Sequence, residues 1–466
     1  MKILLVNPPP FEITEPYYDT PDYPRTALAY LAGYLREKGI DVDVLDCKYD
    51  KLDFDNALKR ICALNADVIG FTSFTNEIIQ AAQIARVVKA EYRDVTTIVG
   101  GVHVSALPEK TMREFPEFDY GIIGEGEETL YELLLALEKK GNCNVVKGLC
   151  YVNKDSSFYH TGEREFIRDY NFLPLPAWDL FKPAKEYIIQ SSRGCPFKCD
   201  FCMNPNGRIV RPRTPGNVLK EINWLVTELG AQKIVFGDEN FSIDIKRAIE
   251  ICELIINSGL DKKFKWDCTS HVSRINHELA IAMKNAGCVS VGLGIESGDE
   301  RRLKTIGKGT DLKKISSAIE ILNKAKLKYR TFFILGQPNE TYETAKKTID
   351  FAVKLNPMLP VIGIMVPYPG TRISNLAQNG EGGYILKALN WNDYNKEIGN
   401  ALEFVHVPRR KLEKLQFIGY IKVFLLNLRF TDLFMFLWKY RKEGLVLLSK
   451  IVKKPFRDKQ QNRSFI

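Results

Sequence analysis

The chain predicts an α/β protein with two parallel-sheet domains: a doubly wound sheet first, then six strand–helix units of an open, partial barrel, then a helical tail. Three observations carry this expectation. Short apolar runs alternate with longer amphipathic stretches through most of the 466 residues. Glycine-rich joints follow those runs within the first 140 residues. The alternation pauses at a proline-rich strap, Leu173-Pro174-Leu175-Pro176-Ala177-Trp178, and then restarts.

Taken in order, Lys2–Val6 reads as a buried strand, Thr26 to Lys38 as an amphipathic helix stopped by Gly39, and Val42–Leu45 as the next strand. A helix over Phe54–Leu64, the strand Val68–Phe71, and a helix over Ile78–Tyr92 follow. Thr97–Val99 leads into Gly100-Gly101, and Tyr120–Ile123 into Gly124-Glu125-Gly126 and a helix through Lys140. Ligands of such sheets sit outside the carboxyl ends of the strands, where Pro8, Ser73, Gly101 and Gly124 fall. Residues 1–140 thus form the first domain and 141–186 a connector, with a small hairpin suggested by Tyr151, Phe158 and Phe166. In residues 187–395 the strands are Tyr187–Gln190, Lys233–Phe236, Lys265–Thr269, Val289–Gly292, Tyr329–Leu335 and Val361–Val366, with helices between them. Residues 396–466 read as helix only, over Lys411–Phe430 and Leu433–Lys453.

Composition sets limits. Hydrophobic residues at 45% and charged ones at 26% describe a globular chain and exclude a disordered one. The longest chargeless stretch, Leu355–Thr371, is broken by four prolines, so no membrane-spanning helix is expected. The net charge of +9 is concentrated in the tail, where 15 Lys and Arg stand against 4 Asp and Glu between Arg409 and Arg463. Of the ten cysteines only Cys195, Cys199 and Cys202 cluster. No secretory leader is read at the start, where Met1–Val6 carries Lys2 and runs directly into Asn7-Pro8-Pro9-Pro10, and reduced thiols in a cytoplasm are the expectation.

The segment Ser191-Ser192-Arg193-Gly194-Cys195-Pro196-Phe197-Lys198-Cys199-Asp200-Phe201-Cys202 spaces three thiolates by three and two residues. Three sulfurs can hold a cubane cluster and leave its fourth iron open. A structural zinc site wants a fourth Cys or His at short spacing, and none follows. A thioredoxin-like pair is disfavoured by the third cysteine.

On these residues the chain resembles the radical S-adenosylmethionine (SAM) superfamily, with Phe201 as the aromatic before the last cysteine. The resemblance implies that Cys195, Cys199 and Cys202 bind a [4Fe-4S] cluster. It further implies that SAM chelates the open iron and is cleaved reductively to a 5′-deoxyadenosyl radical, which abstracts a substrate hydrogen. Later strand ends carry similar companions. Gly237-Asp238-Glu239 resembles the segment that receives the SAM ammonium, although its middle residue departs from the family pattern and leaves open which acid serves. Glu296-Ser297 resembles the segment facing the ribose hydroxyls, with Lys304 and Lys308 nearby, and Gly336 the segment facing adenine. His271, on the third strand, is either a contact of SAM or substrate, or a satisfied core histidine.

A doubly wound, Rossmann-like domain ahead of such a barrel resembles the cobalamin-dependent radical SAM class, which includes methyltransferases and an anaerobic porphyrin cyclase. The matching pieces are Asn7-Pro8-Pro9, Gly70-Phe71-Thr72-Ser73, Gly100-Gly101-Val102-His103 and Gly124-Glu125-Gly126-Glu127. The resemblance implies that Ser73 or Thr72 can bond the nucleotide tail of cobalamin, and that Gly100, Gly101, Gly124 and Glu125 border it. It leaves His103 to bond a corrin amide or neighbouring backbone. Asn7-Pro8-Pro9-Pro10 stands where a cobalt-ligating histidine motif would begin, so cobalamin is expected base-off without a histidine ligand.

The expected activity is methyl transfer to an unactivated carbon of a small-molecule or lipid-like substrate, with a low-potential electron donor. The alternatives are a cobalamin-linked radical cyclisation or rearrangement, and a non-enzymatic iron–sulfur or cobalamin sensor. No RNA-binding module is evident, so nucleic acid is not an expected partner. The basic, aromatic tail either caps the barrel or lies at an anionic membrane surface.

Overall fold

The structure is a computed structural model and describes residues 1–10, 21–395, 400–439 and 441. Its first sheet contains β1 (Lys2–Asn7), β2 (Asp41–Asp46), β3 (Val68–Thr72), β4 (Thr96–Gly100), β5 (Tyr120–Ile122), β6 (Leu149–Val152) and β7 (Phe158–His160). The spatial order is β2-β1-β3-β4-β5-β6-β7, with the first five strands parallel. Ile3 to Val6 and Val68 to Phe71 are apolar or glycine and buried, as strands covered on both faces must be. The hairpin expected inside the connector is β6–β7, and it joins this sheet as an antiparallel edge through Gly121–Cys150 pairing. The first sheet therefore runs on past residue 140. Phe166 lies outside the hairpin, with its ring under the Arg211 guanidinium. The proline strap docks on the helix Thr26–Glu37, where Ala177 N–H donates to Ala29 at 2.8 Å. Any side chain at Gly33 would strike the Leu175 carbonyl.

The second sheet begins with β8 (Glu186–Ile189). A two-residue ladder follows, β9 (Ser192–Arg193) against β10 (Arg211–Pro212). Then come β11 (Lys233–Phe236), β12 (Lys265–Ser270), β13 (Cys288–Glu296), β14 (Lys328–Leu335) and β15 (Leu359–Ile364). The six long strands are all parallel in the order β8-β11-β12-β13-β14-β15, an open barrel whose first and last strands are its edges. The five longest helices between them are Pro215–Thr227, Ile245–Asn257, His277–Asn285, Leu312–Lys324 and Tyr342–Leu355. Each is capped by the residue before it, Thr214, Asp244, Asn276, Asp311 or Thr341, whose side chain accepts from the third helical amide. Such a cap contributes about 1 kcal/mol and fixes where each helix starts.

Open barrel edges need cover. On the β8 side, Thr26 donates its hydroxyl to the Ile188 carbonyl at 3.0 Å. On the β15 side, the helix Arg409–Leu425 lies along the strand. Gln416 donates to the Ile362 carbonyl at 2.6 Å, and the Tyr420 hydroxyl accepts from the Ile362 amide at 3.0 Å. This part of the tail caps the barrel. The tail is not wholly helical, because β16 (Tyr384–Leu386) and β17 (Leu402–Phe404) form a hairpin between barrel and helix. A last helix spans Phe430–Lys439. The rest of the expected helix through Lys453 lies outside the described residues, apart from Arg441. Among the described residues no helix is long and apolar enough to cross a membrane.

Candidate functional site

The cysteine loop leaves β9 through Gly194, whose φ of +96° and contact with the Ile209 carbonyl admit no side chain. The loop is held at every stage. Cys195 N–H donates to Gly207 at 3.0 Å, Asn204 donates to the Cys195 carbonyl at 2.7 Å, and Cys202 N–H donates to Cys199 at 3.1 Å. Asp200 N–H reaches the Ile306 carbonyl at 3.0 Å, joining the loop to the segment that carries Lys308. Phe197 stacks on His271 with centroids 4.0 Å apart and planes 17° from parallel.

That stacking settles the position of His271. Its Nδ1 meets the Ser273 hydroxyl at 2.8 Å and its Nε2 the Lys308 carbonyl at 3.1 Å, so both nitrogens are occupied beneath the loop. Burial, then the Lys308 charge, lowers its pKa to about 4. Burial raises the Cys195 thiol and raises Cys199 to about 11, with Lys308 opposing the latter shift. Among the described residues no three His, Cys, Asp or Glu side chains converge as ligands of one metal ion. A four-iron cluster makes a different demand, one cysteine for each of three irons, and three free cysteines close together on one loop suit it.

Asp238 and Glu239 follow β11 and have opposite surroundings. Asp238 is committed to protein: it accepts from Ser191 N–H at 2.7 Å, Ser191 Oγ at 2.6 Å and Ser192 Oγ at 2.7 Å. It anchors the entry to the cysteine loop, and both of its oxygens already have partners. Glu239 accepts from Asn206 through one oxygen, while its other oxygen, Oε2, is buried without a partner. Burial raises its pKa, and the Asn206 hydrogen bond only partly offsets this. A buried acceptor in that state is poised for a cationic donor. Asn240 Nδ2, Asn204 Oδ1 and Thr310 Oγ1 are likewise buried and unpartnered in segments bonded to the loop.

Glu296 sits at a register shift between β13 and β14 with φ of +67°, a strained conformation for a residue with a side chain. Its Oε1 accepts from Lys308 Nζ at 2.8 Å, and both side chains are buried. Ser297 faces elsewhere: its hydroxyl contacts Thr348 at 3.2 Å and accepts from Asp299 N–H at 3.1 Å, which secures the next helix start. Gly336, expected beside adenine, is covered by protein. A side chain there would meet the Phe404 ring at 2.5 Å, and its carbonyl already accepts from the Tyr384 hydroxyl at 3.1 Å.

The other half of the site is a cavity of about 420 Å³ where the carboxyl ends of β3, β4 and β5 face the barrel. Thr72, Ser73, Gly100, Gly101, Gly124 and Glu125 all line it. Ser73 is fully buried, and its hydroxyl has no partner. Gly101, at φ of +105°, lets the two turns close together, since a side chain there would come within 2.6 Å of the Ser73 carbonyl oxygen. A methyl group at Gly124 would meet nothing within 4 Å. An orphaned hydroxyl and glycine-lined walls suit a large ligand bound through its polar tail.

His103 does not belong to this lining. It is buried against Trp391, ring centroids 4.6 Å apart, and neither ring nitrogen has a partner, so the bond to neighbouring backbone, the second expectation, is not made. None of the cavity-lining residues is a histidine. Glu125 borders the cavity, but its oxygens are taken by Arg193, Arg211, Tyr170 and the Ile167 amide. Sequence reasoning missed Arg25, Phe74 and Ser105 on the cavity wall, and Arg193, Asn206 and Gln190 where the barrel closes it. Arg193 could have been found, since it lies two residues before Cys195. Phe74 carries no such signal, because only the fold turns its half-exposed ring over the cavity beneath Arg25, 4.0 Å away.

Comparison with known proteins agrees with this two-part site. The B12 binding domain model matches residues 19–134 and the radical SAM superfamily model matches residues 189–352. An uncharacterized methyltransferase of Pyrococcus horikoshii is 34% identical over 435 residues, covering 91% of this chain and 93% of its own. An anaerobic magnesium-protoporphyrin IX monomethyl ester cyclase of Rubrivivax gelatinosus is 29% identical, covering 80% and 69%. In fold, the chain matches the cobalamin-dependent SAM radical enzyme OxsB with a TM-score of 0.75 at 19% identity, over 97% of this chain and 75% of that one. With both domain models in place and a relative aligned almost end to end, this chain belongs to the radical SAM enzymes that carry an amino-terminal B12-binding domain.

Proposed function

We propose that the protein is a cobalamin-dependent radical SAM methyltransferase acting on an unactivated carbon of a small-molecule or lipid-like substrate. One observation carries the reading: the cavity at the strand ends of the first sheet is closed by Gln190, Arg193 and Asn206, the residues around the cysteine loop. Two cofactor sites that share a wall can act on one substrate. Cys195, Cys199 and Cys202 hold the cluster. Glu239, through its free oxygen, takes the SAM ammonium, and Glu296 is the acceptor near the ribose. Ser73 bonds the cobalamin tail while Gly100 and Gly124 keep its space clear. When bound, the cluster with SAM supplies a carbon radical that removes a substrate hydrogen, and cobalamin supplies the methyl group. The chain's own work is to fix these groups against one another and to exclude water. The lining supports base-off cobalamin without a histidine ligand; nitrogen hyperfine structure on Co(II) in an electron paramagnetic resonance (EPR) spectrum would contradict it.

The test is anaerobic reconstitution with iron, sulfide and cobalamin, followed by SAM, a low-potential reductant and candidate substrates. 5′-Deoxyadenosine and a product heavier by one CH2 are expected. A product without the added CH2 favours the cyclisation named in the Rubrivivax relative. Absence of 5′-deoxyadenosine under every condition favours a sensor.

The final described helix supports a peripheral contact with anionic lipid, because Phe430, Phe434, Met435 and Trp438 are exposed on it. Salt-sensitive sedimentation with phosphatidylserine vesicles is expected, and its absence removes this contact.

A further inference from the structure

Four buried charges join the cavity to the cysteine loop. Arg193 donates to Glu127 at 2.7 Å and to Glu125 at 3.2 Å, and to Gln190 at 2.9 Å through its Nε. Arg211, its partner across the β9–β10 ladder, donates to both oxygens of Glu125 at 2.9 and 2.8 Å. The Tyr170 hydroxyl also donates to Glu125, and its ring lies 4.5 Å from the Arg193 guanidinium. All four charged side chains are at least nine-tenths buried. The two carboxylates belong to the turn Gly124-Glu125-Gly126-Glu127 at the end of β5, and the two guanidiniums flank the cysteine loop.

Stability alone does not account for such a quartet. Taking four charges out of water is costly, and apolar side chains of the same volume hold an interface as well or better. What ion pairs add is register: a forked guanidinium between two carboxylates tolerates little displacement. Glu125, Glu127 and Arg193 also line the cavity itself, so a ligand there touches the quartet directly. Arg193 is joined to Cys195 through one glycine.

We propose that Glu125, Glu127 and Arg193 are positioning residues that couple occupancy of the cavity to the geometry of the cluster loop. This rests on the cofactor assignment above. Coupling between two sites is reciprocal, so a cluster that tightens cobalamin binding is itself held tighter by cobalamin, by the same factor.

The test titrates hydroxocobalamin, followed by visible absorbance, into full-length protein with and without its reconstituted cluster. In the parent protein the cluster-loaded form binds at least fivefold tighter, the lower end of ordinary coupling energies. In Glu127→Gln that ratio falls below twofold. Tyr170→Phe, which removes only the hydroxyl to Glu125, lowers the ratio part of the way and carries the test if Glu127→Gln does not fold. Asp179→Asn, which breaks the exposed Arg36–Asp179 pair, keeps the parent ratio. The EPR spectrum of the reduced cluster should likewise change on cobalamin loading in the parent and not in Glu127→Gln. A parent ratio near one, or a parent-like ratio in Glu127→Gln, overturns the coupling. A protein that binds no cobalamin at all removes the assignment beneath it, which is a different result from binding without coupling.

Discussion

Glycines end strands in both sheets, but for opposite reasons. At the first sheet Gly100 and Gly124 border open space: a methyl group on Gly100 would meet nothing closer than 3.9 Å, and one on Gly124 nothing within 4 Å. At the second they are pressed by protein: Gly336 lies under Phe404, and Gly294 beside Glu296 and Lys308. The first sheet builds its site by leaving side chains out, which suits a broad ligand approached by backbone. The second builds its site from side chains locked by neighbours, which suits precise orientation of a small, charged one.

The strongest break in this comparison is at sulfur. Cys199→Ser should lose the cluster, seen as loss of iron and of the EPR signal after reconstitution, and should lower 5′-deoxyadenosine formation by at least a thousandfold. Next, the two kinds of glycine should respond differently. Gly100→Leu should weaken cobalamin binding at least tenfold while leaving thermal stability nearly unchanged. Gly336→Ala should cost about 2–3 kcal/mol of stability through overpacking and left-handed strain, read by denaturant titration. Equal stability loss in both variants would erase the distinction.

Smaller still is the contrast between adjacent acids. Asp238→Asn removes an acceptor of three buried hydrogen bonds and should cost about 1–3 kcal/mol of stability. Glu239→Gln should leave stability intact and raise the KM for SAM about tenfold. A SAM defect confined to Asp238→Asn would reverse the assignment. The mildest effect concerns pH. Burial, and then the Lys110 charge, lowers the His103 pKa from 6.5 to about 4. Between those values the unfolded chain holds a proton that the folded chain refuses, so this contribution is complete above about pH 6.5 and is lost as pH falls toward 4. Melting curves of His103→Leu should show a shallower decline across that window.

Much of the fold was legible because periodicity reports burial. The helices at Leu312–Lys324 and Tyr342–Leu355 lie where their apolar spacing predicts, each with an acceptor residue in front. The hairpin strand Leu402–Phe404 was not legible: three residues give too short a run to show alternation, and its partner Tyr384–Leu386 lies across an intervening loop. In the site, the cysteine spacing was readable because ligation geometry is local to one loop. The roles of Asp238 and Glu239 were not, since identical carboxyl chemistry becomes anchor or free acceptor according to neighbours from other elements.

The linear chain by itself determined two parallel sheets, a thiol triplet and a set of glycine turns, because these depend on residue spacing within single segments. Only the tertiary structure decided that His103 turns to Trp391, that Glu125 and Glu127 grip Arg193, and that Gln416 and Tyr420 seal the β15 edge. Those outcomes depend on which polar groups meet when distant segments pack and lose water, and burial makes each such meeting strong.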